Sequence, residues 1–184
     1  MVREKVASEA EFEEIQYDAA HWEILREKRE RAKIILAEIQ SLSPHVFGSV
    51  ARGDVTNHSD IDILITFQIS EFQLLPILEK LDAPVEKREI VQATPLSAFK
   101  AVVTFSTELS LTFPLVPFYP REQDFFKFGG SIDLAGLEQD NRIPGINKKL
   151  MLVEPTPGGH TETRVTRENA SHAARELDIT VETI

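Results

Sequence analysis

The sequence predicts an α+β fold: a small mixed β-sheet with helices packed on one side, an irregular β extension and a short C-terminal helix. Three observations carry that reading. Residues 19–42 place Trp22, Leu25, Ala32, Ile35, Leu36 and Ile39 near helical spacing. Two short apolar runs, one ending in Val46 and Phe47 and one holding Ile61, Ile63, Leu64 and Ile65, read as strands. Residues 98–115, AFKAVVTFSTELSLTFPL, contain two β-rich runs about Ser106 and Thr107, the pattern of a hairpin.

Taken in order, residues 1–18 are acidic and only weakly periodic, which predicts a frayed or solvated lead-in. The core is expected over 19–118. In its first helix the charged run REKRER, Arg26 to Arg31, lies largely on the outer face. Glu27 and Glu30 within it favour a solvated face over a nucleic-acid patch. Ser43 and Pro44 end this helix. After Phe67, SEFQLLPILEKLD has the apolar density of a helix, which Pro76 either kinks or splits. Ala83 and Pro84 break the pattern, and a strand with Val85, Ile90 and Val91 follows.

From Pro117 the composition turns to Gly, Pro and polar turn formers, so residues 119–165 read as an irregular β extension with strand-like runs only at 131–134 and 149–153. Phe125, Phe126 and Phe128 read as core before base-stacking residues, and Gly129-Gly130 as a plain turn before a phosphate contact. His160 and Glu162 have a metal-ligand spacing but lack a third ligand. Residues 166–184 form a helical tail in which Thr166 can cap a helix carrying Ala170, Ala173, Ala174 and Leu177 at i, i+3, i+4 and i+7.

Composition narrows the function. With 184 residues and 42% hydrophobic content, the chain can bury a real core. It has no cysteine, which excludes disulfides, thiolate metal sites and a cysteine nucleophile and agrees with a reducing compartment. A charged N-terminal stretch and the lack of a run of roughly 20 apolar residues argue for a cytoplasmic protein with no membrane partner. A formal charge of −10 argues against a broad basic footprint for nucleic acid.

The chemistry concentrates in residues 45–67, HVFGSVARGDVTNHSDIDILITF. Asp60 and Asp62 are two apart in a strand, so both carboxylates share a face, about 6.6 Å apart at roughly 3.3 Å of rise per residue. Two like charges so placed call for a hard cation, and Mg²⁺, bound at about 2.0–2.1 Å, is the natural one. Gly48 allows a tight turn with positive φ, and Ser49 can cap a short helix through Val50, Ala51 and Arg52. Free amides with a hydroxyl beside them form a seat for phosphate.

GSVARGDVTNHSDIDILI resembles the signature of the DNA polymerase β-type nucleotidyltransferase superfamily, in particular its minimal branch, where Gly-Ser is followed after roughly ten residues by a DxD strand. The resemblance is strict over about 23 residues and looser over 20–118. It implies that Gly48 and Ser49 hold the β- and γ-phosphates of a nucleoside triphosphate and that Asp60 and Asp62 bind the metals. Arg52 would contact phosphate or a helix terminus. The superfamily normally adds a third carboxylate from a later strand. Here Ser110 stands where that acid is expected, which leaves Glu108 as the best candidate and Glu86 and Glu89 as runners-up.

The implied activity is Mg²⁺-dependent transfer of a nucleoside monophosphate from a nucleoside triphosphate to a hydroxyl of an unidentified acceptor. Two alternatives stand beside it: a nucleotide-binding or regulatory module that kept the seat without the full carboxylate set, and an antitoxin-like transferase acting on a partner protein. AARELDITVETI also resembles the middle of a helix-turn-helix, with Asp178 in place of the usual Gly and Thr180 as the N-cap of a second helix. Two readings stand for it: a fragment of a longer protein with a DNA-binding tail, or coincidence.

Overall fold

The computed structural model describes residues 11–81, 83–106 and 108–184. Its first ten residues, over which most of the expected lead-in falls, lie outside the described residues. Among the described residues ten strands run in chain order as β1 (Phe12–Gln16), β2 (His45–Phe47), β3 (Ile61–Leu64), β4 (Val85–Val91), β5 (Lys100–Phe105), β6 (Leu109–Pro114), β7 (Ser131–Ile132), β8 (Gly145–Ile146), β9 (Met151–Thr156) and β10 (Gly159–Arg164). The helices are α1 (Ala19–Glu38), α2 (Ser49–Arg52), α3 (Glu71–Lys80), α4 (Pro120–Gly129), α5 (Leu134–Glu138) and α6 (Ala170–Glu176).

The larger sheet has the order β4-β5-β6-β3-β2-β7. Only β3 and β6 pair in parallel; every other neighbour is antiparallel, so the sheet is mixed. Strand alternation sorts the residues of β3 onto two faces. Ile61, Ile63 and Ile65 enter the main core with Leu25, Ala32, Ile35 and Leu36 of α1 and Ile77 of α3. Asp62 and Leu64 point the other way, where Leu64 meets Phe47, Phe118 and Phe126. One face is therefore wholly apolar, and the other sets an apolar cluster beside the Asp62 carboxylate.

The helix starts follow from local chemistry. Oδ1 of Asp18 accepts the His21 amide at 2.8 Å and opens α1. Helix α3 runs through Pro76 without a break, so the expected split does not occur. Arg29 corrects the reading of REKRER as an outer face, because it is 4% exposed and donates to the carbonyls of Val50 (3.1 Å) and Asn141. It falls on the buried stripe of Leu25, Ala32 and Leu36.

The extension is more ordered than its composition predicts. Strands β1-β10-β9-β8 form a second, antiparallel sheet, so residues 12–16 are an edge strand and not a frayed lead-in. FEEIQ hides this because an edge strand buries little, and only Ile15 is even partly covered. Helix α4 replaces expected irregular structure. Pro120 occupies its first turn and the Glu122 carboxylate accepts the amides of Tyr119 (3.0 Å) and Ala98 (2.9 Å). The tail helix forms at α6, with Asn169 and not Thr166 at its N-cap position and no side-chain cap hydrogen bond, and buries Ala173 and Leu177 against Ile146 and Leu152. Beyond it Asp178 adopts φ 51°, the left-handed geometry where glycine is usual. No helix among the described residues is long and apolar enough to cross a membrane.

Candidate active site

Strand β2 delivers the chain to Gly48, whose φ of 81° and ψ of −142° are open to glycine alone at no cost. The Gly48 amide donates to the Gly130 carbonyl at 2.8 Å, and its own carbonyl accepts from the Ala51 and Arg52 amides at 3.0 Å each. Gly48 thus takes the cap position expected of Ser49, which becomes the first residue of α2. The amides that open a helix have no intrahelical acceptor. They sit beside the Ser49 hydroxyl.

Asp62 lies opposite Phe47 on β2 and opposite Ser110 on β6. Its Oδ1 accepts the Ser110 hydroxyl at 2.6 Å. Its Oδ2 faces the turn, since a Cβ placed on Gly48 would stand 4.0 Å from it. Asp60, one residue before the strand, is exposed and shares this face. Burial pushes the Asp62 carboxyl above its ordinary value, the Ser110 hydrogen bond opposes the shift, Asp60 adds to it and Lys148 opposes it again.

Glu108 is placed elsewhere. It precedes β6 at φ 52°, pairs with Lys28 at 3.2 Å and is not among the residues lining the cavity described below. Strand alternation begins at Leu109 and does not extend to a left-handed turn residue, so it does not bring Glu108 to Ser110's face. Glu86 and Glu89 sit on β4, with β5 and β6 between them and β3, and Glu89 pairs with Lys87 at 2.8 Å. Among the described residues no three His, Asp or Glu side chains gather as a metal cage.

Arg52 lines the site but is engaged within the fold. Its Nε and Nη2 each meet Asp54 at 3.0 Å, and Nη1 donates to the Gly129 carbonyl. Glycines make that knot possible. A Cβ on Gly145 would stand 2.7 Å from Arg52 Cδ, and one on Gly129 would stand 2.4 Å from the Phe47 ring. A Cβ on Gly130 would stand 2.9 Å from Arg52 Cγ, so Gly129 and Gly130 are both packing glycines.

Gly48, Ser49, Asp60 and Asp62 open onto a cavity of about 940 Å³ whose other wall is the extension: Phe125 and Phe128 of α4, Lys148 and Lys149 of the β8–β9 turn, and His160 and Glu162 of β10. The two phenyl rings stack, 6.0 Å apart and within 8° of parallel, while Phe126 goes into the core. His160 Nδ1 hydrogen-bonds Tyr17 Oη at 2.7 Å, and Nε2 lies 3.5 Å from Glu162 Oε1. Burial holds the His160 imidazole below its ordinary value and raises the Tyr17 phenol. Sequence reasoning noticed His160 and Glu162 but had no means to bring them, or Lys148, to the Asp pair. A separate groove of about 470 Å³ between α3 and strands β4–β6 includes none of these residues.

Residues 20–97 match the family described as nucleotidyltransferase domain. This segment is a nucleotidyltransferase domain. The match contains the Gly-Ser turn and both Asp residues, and it ends before Ser110, helix α4 and the extension wall. No curated protein sequence matches the chain. A solved structure described as "structure of GLD-2/RNP-8 complex" is similar over 54% of this chain and 41% of that one, at 21% identity and a TM-score of 0.32. So loose an overlap carries no argument, and the chain spans less than half the length of that relative.

The donor set of the nucleotidyltransferase domain fits Mg²⁺. That ion is usually held by one or two carboxylates with the remaining positions left to water and substrate phosphates. Asp60 and Asp62 offer two hard carboxylates on the cavity that the Gly48 turn also lines, without a closed protein cage among the described residues.

Proposed function

We propose that this chain transfers a nucleoside monophosphate from a nucleoside triphosphate to a hydroxyl of an acceptor, with Mg²⁺ held by Asp60 and Asp62. The observation that supports it is that Gly48, Ser49, Asp60 and Asp62 line one wall of a cavity large enough for a nucleotide, with Asp62 Oδ2 facing the Gly48 turn. Bound Mg²⁺ would neutralise phosphate charge and polarise the reacting phosphoryl group. Gly48 and Ser49 would seat the β- and γ-phosphates through backbone amides and the serine hydroxyl. The acceptor oxygen bonds to the α-phosphorus, the bond from that phosphorus to the bridging oxygen breaks, pyrophosphate leaves with the electron pair, and the hydroxyl proton passes to solvent. The chain's contribution is positioning and charge complementarity. A cytoplasmic location, supported by the lack of cysteine, goes with this reading.

Ser110 favours a second reading, a module that binds the nucleotide and transfers it slowly or not at all. It stands opposite Asp62 on the parallel strand, where a third carboxylate would assist the nucleophile, and such assistance is commonly worth about 10²–10⁴ in rate. Incubation with labelled nucleoside triphosphates, Mg²⁺ and hydroxyl-bearing acceptors tests both. Pyrophosphate release that disappears in Asp60→Ala with Asp62→Ala supports the transferase. Mg²⁺-dependent binding without release across the acceptors supports the module. Nucleotide affinity unchanged in the folded double variant removes both.

A further inference from the structure

A polyphosphate brings several negative charges to the Gly-Ser turn, and the segment that builds the turn does not deliver a free cation. Arg52 is the cation the sequence offers there, yet Asp54 and the Gly129 carbonyl engage all three of its nitrogens. Of the cavity's three histidines, His21 donates from Nε2 to the Gly53 carbonyl at 2.8 Å, His160 is bonded to Tyr17 with burial lowering its pKa, and His58 is exposed on the loop before Asp60. The remaining lysines lining the cavity are Lys148 and Lys149.

Those lysines sit on a turn that is tied down. Asn147 Oδ1 accepts the amides of Lys149 (2.9 Å) and Met151 (3.1 Å), its Nδ2 donates to Glu162 at 2.8 Å, and Leu150 closes the turn at φ 60°. The backbone is fixed while the Lys148 side chain is exposed, with no hydrogen bond or ion pair among the described residues. Lys148 lines the same cavity as Gly48, Ser49 and Asp62, and its charge favours the ionised form of the Asp62 carboxyl.

We infer that Lys148 is the cation that receives the β- and γ-phosphates of the nucleoside triphosphate, so that the extension, outside the matched family segment, supplies half of the nucleotide site. The inference rests on the transferase or module reading above. A lysine on a four-carbon stem suits the task, because its ammonium can swing to phosphate without moving the backbone. In the unliganded protein it offsets the charge that Asp62 places on a partly buried face.

Binding of nucleoside triphosphate, nucleoside monophosphate and inorganic tripolyphosphate, each with Mg²⁺, is measured calorimetrically on the full chain. Lys148→Met should lower triphosphate and tripolyphosphate affinity about ten- to a hundredfold, the scale of a charge-assisted hydrogen bond, and leave monophosphate affinity within about twofold. Lys148→Arg should recover most of the loss. Equal loss for monophosphate and triphosphate would show a merely structural role and overturn the inference. Unchanged triphosphate affinity in Lys148→Met, with that affinity lost in Asp60→Ala/Asp62→Ala, overturns it and leaves the functional reading standing. Failure of the unaltered chain to bind triphosphate overturns both.

Discussion

Ser110 donates its hydroxyl to Oδ1 of Asp62 at 2.6 Å from the directly opposed position of a parallel strand. A hydrogen bond to the charged form of a carboxylate holds that form in place and fixes its rotamer. Without it, burial and Asp60 would push the Asp62 carboxyl further up. Ser110→Ala should therefore weaken Mg²⁺-dependent nucleotide binding and move the acid side of its pH profile to higher pH. Titrating triphosphate affinity from pH 5 to 8 in both proteins checks it; superimposable profiles would refute the coupling.

Asp62 itself is predicted to cost stability. Its carboxyl titrates above the ordinary 3.8 in the folded chain, so the folded state holds the proton more tightly than the unfolded one. The ionised side chain then destabilises the fold at pH values above its folded pKa, and that cost fades as the pH falls from the folded pKa toward 3.8. Asp62→Asn, which can still accept from Ser110, should raise Tm at pH 7, with about 2–4 °C as the scale of 1 kcal/mol in a chain of this length. The gain should shrink toward pH 4, and nucleotide binding should be lost throughout. A Tm lower than that of the unaltered chain at pH 7 would contradict this account of the site as strained by its function.

Much of this arrangement was legible because it is local. Helical spacing marked α1, strand alternation put Asp60 and Asp62 on one face, and the β-rich runs marked the β5–β6 hairpin. Some signals were present and outweighed: Arg29 lies on the stripe of Leu25, Ala32 and Leu36 inside a charged run, and Pro120 with Glu122 is a helix-start pattern within a turn-rich segment. The rest is long-range. Strand β1 pairs with β10 across most of the chain, from Phe12 to Thr163. That pairing, and the turn that carries Lys148, leave no periodicity in the neighbouring sequence.

Gly48 and Gly129 should fail for different reasons. At Gly48 there is room for a methyl, 4.0 Å from Asp62 Oδ2, but φ is 81°. The expected loss for Gly48→Ala is backbone strain of about 1–3 kcal/mol together with a distorted phosphate turn. At Gly129 a methyl would meet the Phe47 ring at 2.4 Å, so Gly129→Ala must displace Phe47, which lies opposite Asp62 on β2. Urea unfolding should show both losses. Gly129→Ala should regain stability when combined with Phe47→Leu, and Gly48→Ala should not.

Arg52 provides the sharpest test between its two assigned roles. If it bound phosphate, Arg52→Met would leave folding nearly intact and reduce triphosphate affinity. The structure places the side chain at 6% exposure, forked onto Asp54 and bonded to the Gly129 carbonyl. Removing it leaves the Asp54 carboxylate in a partly buried site without its partner, a change that commonly costs about 3–5 kcal/mol. Arg52→Met should therefore lower the urea midpoint strongly, and Arg52→Met with Asp54→Asn should recover part of the loss by removing the stranded charge. Triphosphate affinity of the folded fraction should then follow the integrity of the Gly48–Gly130 contact, because Arg52 anchors Gly129 beside it. Full stability of Arg52→Met with selective loss of triphosphate binding would return Arg52 to the phosphate site.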